Sequence, residues 1–192
     1  YRIIREQETK NNEVLQRLIP GVDKLVAFVP PGDNEPYVAQ YVYRDLGFTF
    51  TCGMSFCPND AGDQWFCGMY QIPYSVNFEE FLPGRRPCDP KSIADRLAKA
   101  KKAVIYCHPH RVFVNEAWDM INFCGKNPKP GEPYAEAKTV RSAEERQRYL
   151  DDIRRTVRYL KADKRFRFIT TSELAEEVRM PRERMMKADA PF

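Results

Sequence analysis

Residues 103–110 read AVIYCHPH and contain both histidines of the chain, on either side of one proline. An imidazole has an unperturbed pKa of about 6.5, so it donates or accepts protons near neutrality. Strand alternation puts Val104, Tyr106 and His108 on one face of the run that climbs to Cys107. His108 therefore suits general acid or base work on a leaving group, with a histidine hydrogen-bonded to a neighbouring loop as its structural alternative. His110, beyond the proline, is read as exposed or structural and is expected to point away from His108.

Other chemistry is harder to build. Zinc catalysis needs two or three histidine or carboxylate ligands converging on an open position. His108 and His110 supply two at most, with Asp33, Asp60 and Asp63 as loop carboxylates. No metal ligand is assigned within this chain. Six cysteines are present, none in a C-x-x-C pair. A buried thiol is the plain reading of Cys107, whereas Cys52 or Cys57 could act as nucleophile with His108 if the fold cooperates. A disulfide within residues 52–67 suits export and reduced thiols suit the cytoplasm, so the compartment stays open. Trp65, Tyr70, Tyr74 and Trp118 could stack on sugar rings or pack a core.

These residues need elements to hold them. Residues 1–19 read as a helix, with Ile4, Val14, Leu15 and Leu18 on one face and Pro20-Gly21 ending it. Strands follow over residues 24–29 and 48–52, separated by a helix over 35–46. Residues 53–89 are the least regular stretch, with one strand in WFCGMYQIPYSV. Asp89-Pro90 caps a helix to about Ala100, and residues 103–107 form the next strand. Asn115 caps a short helix through Phe123. Ser142 and Glu145 form a capping box opening a long helix. Residues 166–169 read as the last strand, and Thr170 or Thr171 caps a final helix through about Val178.

Strands alternating with helices predict a parallel α/β domain, with the strands over residues 24–29, 48–52, 103–107 and 166–169 in one largely parallel sheet. In such domains working residues sit beyond the C-terminal ends of strands. Three such ends stand out: residues 30–34, 52–57 and 108–111. His108 is expected to face a concave site near residues 30–34. The chain, 192 residues with 43% hydrophobic and 30% charged content, is long enough for a single domain spanning 1–192. No apolar run approaches the roughly 18 to 20 residues of a membrane span. The net charge of +4 is interleaved with acidic residues, so neither nucleic acid nor membrane is indicated as a partner. The N-terminus lacks a helix cap, a signal-peptide core and an initiator Met, which reads as a fragment or processed chain entered near a helix start.

Three segments, FVPPGDNEPYVAQYVYRDLGF, AVIYCHPH and RFRFITTSELAEEV, resemble a polysaccharide deacetylase of the nodulation-protein-B-like type, carbohydrate esterase family four. The resemblance implies a distorted (β/α) barrel, here its C-terminal portion, that removes acetyl groups from carbohydrate with a divalent metal such as zinc. Residues 28–32 resemble the family's Arg-Pro-Pro motif, with Val29 where the arginine is expected. His108 takes the place of the late histidine, the general acid toward the leaving amine. Trp65 stands weakly for the tryptophan motif. Residues 166–174 match the closing segment, and residues 1–19 match the helix after the paired histidines.

The family's Asp-Asp and paired-histidine motifs are absent from this sequence, and with them the base and the metal ligands the resemblance implies. An upstream segment or a separate chain would supply both. Residues 116–128, EAWDMINFCGKNP, are not part of the general pattern and suggest a divergent subgroup. On this reading His108 is the catalytic residue. Pro31, Asp33, Asn34, Trp65 and Trp118 are the substrate-binding candidates, and an acetylated carbohydrate is the partner. The rival is a catalytically inactive barrel serving as a glycan- or protein-binding module, favoured by Val29.

Overall fold

The structure, a computed structural model, describes residues 1–21, 25–30, 36–53, 65–115 and 140–178. It is mixed α/β, with five α-helices among the described residues and mostly parallel strand pairing. Two compact units share the chain: residues 1–74, 101–104 and 168–192 in the first, and 75–100 with 105–167 in the second.

In the first unit, helix α1 (Arg2–Leu18) ends at an extended Ile19, where Pro20 cannot continue it. Strand β1 (Ala27–Phe28), helix α2 (Tyr37–Asp45) and strand β2 (Phe50–Gly53) form a βαβ unit, its two strands parallel. Strand β3 (Trp65–Phe66) turns back into β4 (Met69–Pro73) through Cys67 and Gly68, both at positive φ. Positive φ at both central residues is the demand of a two-residue hairpin whose twist matches its strands. The sheet order is β1-β2-β4-β3, with β4 parallel to β2.

Alternation along these strands builds two layers on the sheet. Phe50, Cys52, Tyr70 and Ile72 pack with Ala175 and Val178 of the C-terminal helix α5 (Thr171–Glu177) and the residue that ends it. Met69 packs with Ala39, Tyr43 and Phe48 around α2. That second face also carries a buried polar chain: Thr51 Oγ1 donates to Gln71 Oε1 at 3.1 Å, and Gln71 Nε2 donates to Gln40 Oε1 at 2.9 Å. Thr51 and Gln71 are register partners, so the ladder itself sets this contact.

The second unit pairs strand β5 (Val76–Asn77) with β6 (Ile105–Tyr106) in parallel. Between them in sequence runs helix α3 (Pro90–Leu97), whose Asp89 side chain accepts from the Lys91 and Ser92 amides. Helix α4 (Ala143–Ala162) opens with the Ser142–Glu145 capping box, both reciprocal bonds made. Ile93, Ala94 and Leu97 of α3 pack with Tyr149 and Leu160 of α4 and with Val76, Phe78 and Leu82. Complete burial of several such side chains, each contributing roughly 1.5–3 kcal/mol, makes this the hydrophobic centre of the unit.

Three strand expectations need correction. The four strands do not share one sheet: β6 pairs with β5 in a separate two-stranded sheet, not with β1 and β2. Residues 166–169 carry no strand pairing and lead as extended chain into the Thr170 cap of α5. An apolar–basic alternation such as FRFIT mimics a half-buried strand, but without ladder partners the segment serves as a link. The stretch 65–77 holds three strands rather than one. The short helix expected from Asn115 to Phe123 lies outside the described residues beyond its first position.

Candidate functional site

The parallel register of β5 and β6 places Asn77 beside Tyr106. Two residues further along each strand stand Glu79 and His108, at the same C-terminal edge. Each strand then breaks into a 3-10 turn, Phe78–Phe81 after β5 and Pro109–Val112 after β6. Asn77 caps the first by accepting from the Glu79 amide at 2.9 Å. Pro109 starts the second, where its fixed φ and missing N–H fit a first helical position.

Glu79 is the hub of the site. Its Oε1 lies 2.6 Å from His108 Nδ1 and accepts the His108 backbone N–H at 3.1 Å. Its Oε2 lies 3.3 Å from Arg111 Nε. That ion pair is close but misaligned, since Arg111 Nε has no hydrogen-bond partner among the described residues. A carboxylate cannot donate, so the His108 nitrogen facing it carries the proton and Nε2 is left as the other working atom. The His108 side chain is 48% exposed, whereas Glu79 is 12% and Arg111 5% exposed. An accessible imidazole is thus held by a nearly buried carboxylate, itself held by a buried guanidinium.

His110 does not point away from His108. The ring centroids lie 5.6 Å apart, tilted by 46°, while Tyr106 sits edge-on to His108 at 6.1 Å. The turn that begins at Pro109 brings the second imidazole back beside the first, which strand alternation alone does not anticipate. His110 Nε2 is buried with no hydrogen-bond partner among the described residues. Burial, then His108 and Arg111, push its pKa below the ordinary histidine value, with Glu79 opposing.

Cys107 stays a thiol: desolvation first and the Glu79 charge second raise its pKa. It is no activated nucleophile, for activation requires the opposite shift. Cys52 is buried in the first unit's core, and Cys57 lies outside the described residues. Trp65 packs edge-on to Tyr70 at 5.2 Å, against the first unit's core cluster. Pro31, Asp33, Asn34 and Trp118 lie outside the described residues, as does the cleft expected near residues 30–34 beyond Pro30. The sequence does not single out Glu79, which falls in residues 53–89, the stretch with the least regular pattern. Its signal was position, two residues past Asn77, which ends a short strand and caps the turn that follows.

Among the described residues, no group of three or more His, Cys, Asp and Glu side chains is placed to hold a metal ion. No helix among them is long and apolar enough to cross a membrane. No family model, curated protein or solved structure matches this chain.

Proposed function

We propose that the second unit carries the proton-donating half of a polysaccharide deacetylase-like hydrolase that removes acetyl groups from carbohydrate. The observation that supports this reading is the His108–Glu79 dyad: an accessible imidazole whose Nδ1 is fixed 2.6 Å from a carboxylate at the C-terminal edge of parallel strands. Hydrolysis of an acetamide ends with cleavage of the C–N bond, and the departing amine must take a proton. In this reading protonated His108 gives that proton from Nε2. Glu79 orients the ring through Nδ1 and stabilises the imidazolium before transfer. For an O-acetyl group the same donor serves the departing alkoxide.

The reading carries a partial (β/α) barrel as its fold. It assigns the base and a divalent metal such as zinc to residues outside those described or to a companion chain. The described residues do not fit a metal centre, so no step is routed through one. The test is acetate release from N-acetylated glucosamine oligomers and O-acetylated polysaccharide by the full-length natural protein with zinc. Removing a positioned general acid lowers rates by about 10²- to 10⁴-fold. His108→Gln is expected to reduce turnover by that order with folding intact. No acetate from either substrate, or equal rates with and without the imidazole, would overturn the reading.

A further inference from the structure

His108 stands at the head of a turn that a distant residue closes. Within the turn Pro109–Val112 and its exit, the Arg111 amide donates to His108 O at 3.0 Å, and the Phe113 and Val114 amides donate to His110 O at 2.9 and 3.1 Å. The last carbonyls of a helical turn have no partner inside it and need one from elsewhere. Arg141 meets two of them: its amide donates to Phe113 O at 2.8 Å, and its Nε donates to Arg111 O at 3.1 Å. The second bond joins residues 30 apart in sequence, and both are buried, each 4% exposed.

Arg141 is itself placed from both sides. Val140 bridges Val114, and Ser142 caps α4 through its box with Glu145. The start of the long helix therefore fixes where the arginine side chain enters. Burying a guanidinium is costly, and an apolar side chain of similar volume would fill the same space at less cost. Its backbone amide would still reach Phe113 O. What the arginine side chain adds is the Nε–H on Arg111 O.

We propose that Arg141 is a positioning residue for His108, acting through the main chain of Arg111 to hold the turn in the one arrangement that sets the imidazole on Glu79. Arg141 Nε fixes the Arg111 carbonyl, and the Arg111 amide returns to His108 O. The Arg111 side chain, anchored by Nη1 on Asn115 O, presents its Nε to Glu79 Oε2 at 3.3 Å. Oε1 is thereby left to His108, whose backbone N–H and Nδ1 both meet it. The bond at Nδ1 decides which ring nitrogen carries the proton, and so leaves Nε2 as the outward atom. Without the Nε–H, a buried carbonyl goes unmet and the turn loses its tie to α4. The catalytic consequence rests on the hydrolase reading, whereas the setting of the ring does not.

Arg141→Gln and Arg141→Met separate the hydrogen bond from the charge. Glutamine carries an N–H donor at the same step along the side chain as arginine's ε nitrogen, methionine matches the length without a donor, and both are neutral. Nitrogen NMR of labelled histidine in the full-length natural protein reads which ring atom is protonated, and His110→Gln assigns the two rings. At pH 8 the native protein and Arg141→Gln are expected to show His108 protonated at Nδ1, and Arg141→Met to show the proton shared between Nδ1 and Nε2. In acetate release, Arg141→Met is expected to lose up to about 10²-fold in kcat at unchanged KM, the order that a misplaced group costs, and Arg141→Gln to recover most of it. Should Arg141→Met fail to fold, the Arg141→Gln spectrum decides alone. The assignment is overturned by a His108 ring protonated at Nε2 in the native protein, by a native spectrum in Arg141→Met, or by an Arg141→Gln that fails to fold or behaves as Arg141→Met does. An unchanged kcat in Arg141→Met, where the native protein releases acetate, overturns it as well. The expected spectra with no acetate released by the native protein would sink the hydrolase reading and uphold the positioning of the ring.

Discussion

His108 Nδ1 lies 2.6 Å from Glu79 Oε1, and the two residues follow register partners by the same two steps. The pairing of β5 with β6 therefore decides the contact between a carboxylate and an imidazole 29 residues apart in sequence. Because Glu79 also faces Arg111 at 3.3 Å, one carboxylate couples an accessible proton carrier to the buried charge beneath it.

Removing the Glu79 charge has two separable consequences. Taking one partner from a buried ion pair costs about 3–5 kcal/mol, much of it from the stranded charge. Glu79 keeps some solvent contact, so Glu79→Gln is expected to lower unfolding stability by about 2 kcal/mol, below that range. Urea denaturation checks this. The double variant Glu79→Gln/Arg111→Met should be more stable than the sum of its single changes. Additive losses would show that the two groups do not act as a pair.

The buried amide chain of the first unit makes a second test. Gln71 joins Thr51 across the ladder to Gln40 on α2, and all three are buried. Gln71→Leu removes the hydrogen bonds its side chain makes with Thr51, Gln40 and the Met69 carbonyl, each worth about 0.5–1.5 kcal/mol net, so a loss of about 2–4 kcal/mol is expected in urea unfolding. Replacing Gln40 by leucine as well should recover part of that loss, since apolar pairs of similar shape are tolerated where a lone polar group is not. No recovery would indicate that packing, not hydrogen bonding, sets the cost.

Local chemistry carried most of what was legible in the sequence. The Asp89-Pro90 start, the Ser142–Glu145 box and the Thr170 cap all form as their side chains dictate, because a cap needs only residues within one turn. The βαβ unit through α2 followed from alternation. Sheet partners did not: nothing in residues 103–107 says that β6 joins Val76–Asn77 rather than β2, because pairing depends on distant chain. Glu79 was illegible for the same reason. His108 was visible by its rarity and its strand end, whereas the carboxylate that orients it is supplied by the neighbouring strand.

Cys107 gives a chemical check on the electrostatics around Glu79. Its side chain is exposed, yet local desolvation and then Glu79 raise its thiol above the ordinary cysteine value. Only the thiolate alkylates, so iodoacetamide at pH 8 should label Cys107 more slowly than it labels free cysteine. Peptide mass spectrometry resolves this thiol from the others. Glu79→Gln should speed the labelling by removing the second cause. Labelling as fast as free cysteine in the native protein would contradict the arrangement.

His110 supplies the pH dependence. Burial, with His108 and Arg111 adding, depresses its pKa in the folded protein, and only Glu79 opposes. The unfolded chain therefore binds a proton first as pH falls through about 6.5, while the folded chain resists. Stability from this residue is present above that value and is lost as pH falls toward the folded pKa, because more protons are bound in the unfolded state. His110→Gln, which cannot titrate, is expected to flatten the decline in unfolding free energy between pH 7.5 and 5. Chemical denaturation across that range compares the two proteins. An acid limb equally steep in His110→Gln would mean that the buried imidazole takes its proton as readily folded as unfolded, and that its unpartnered Nε2 meets solvent after all.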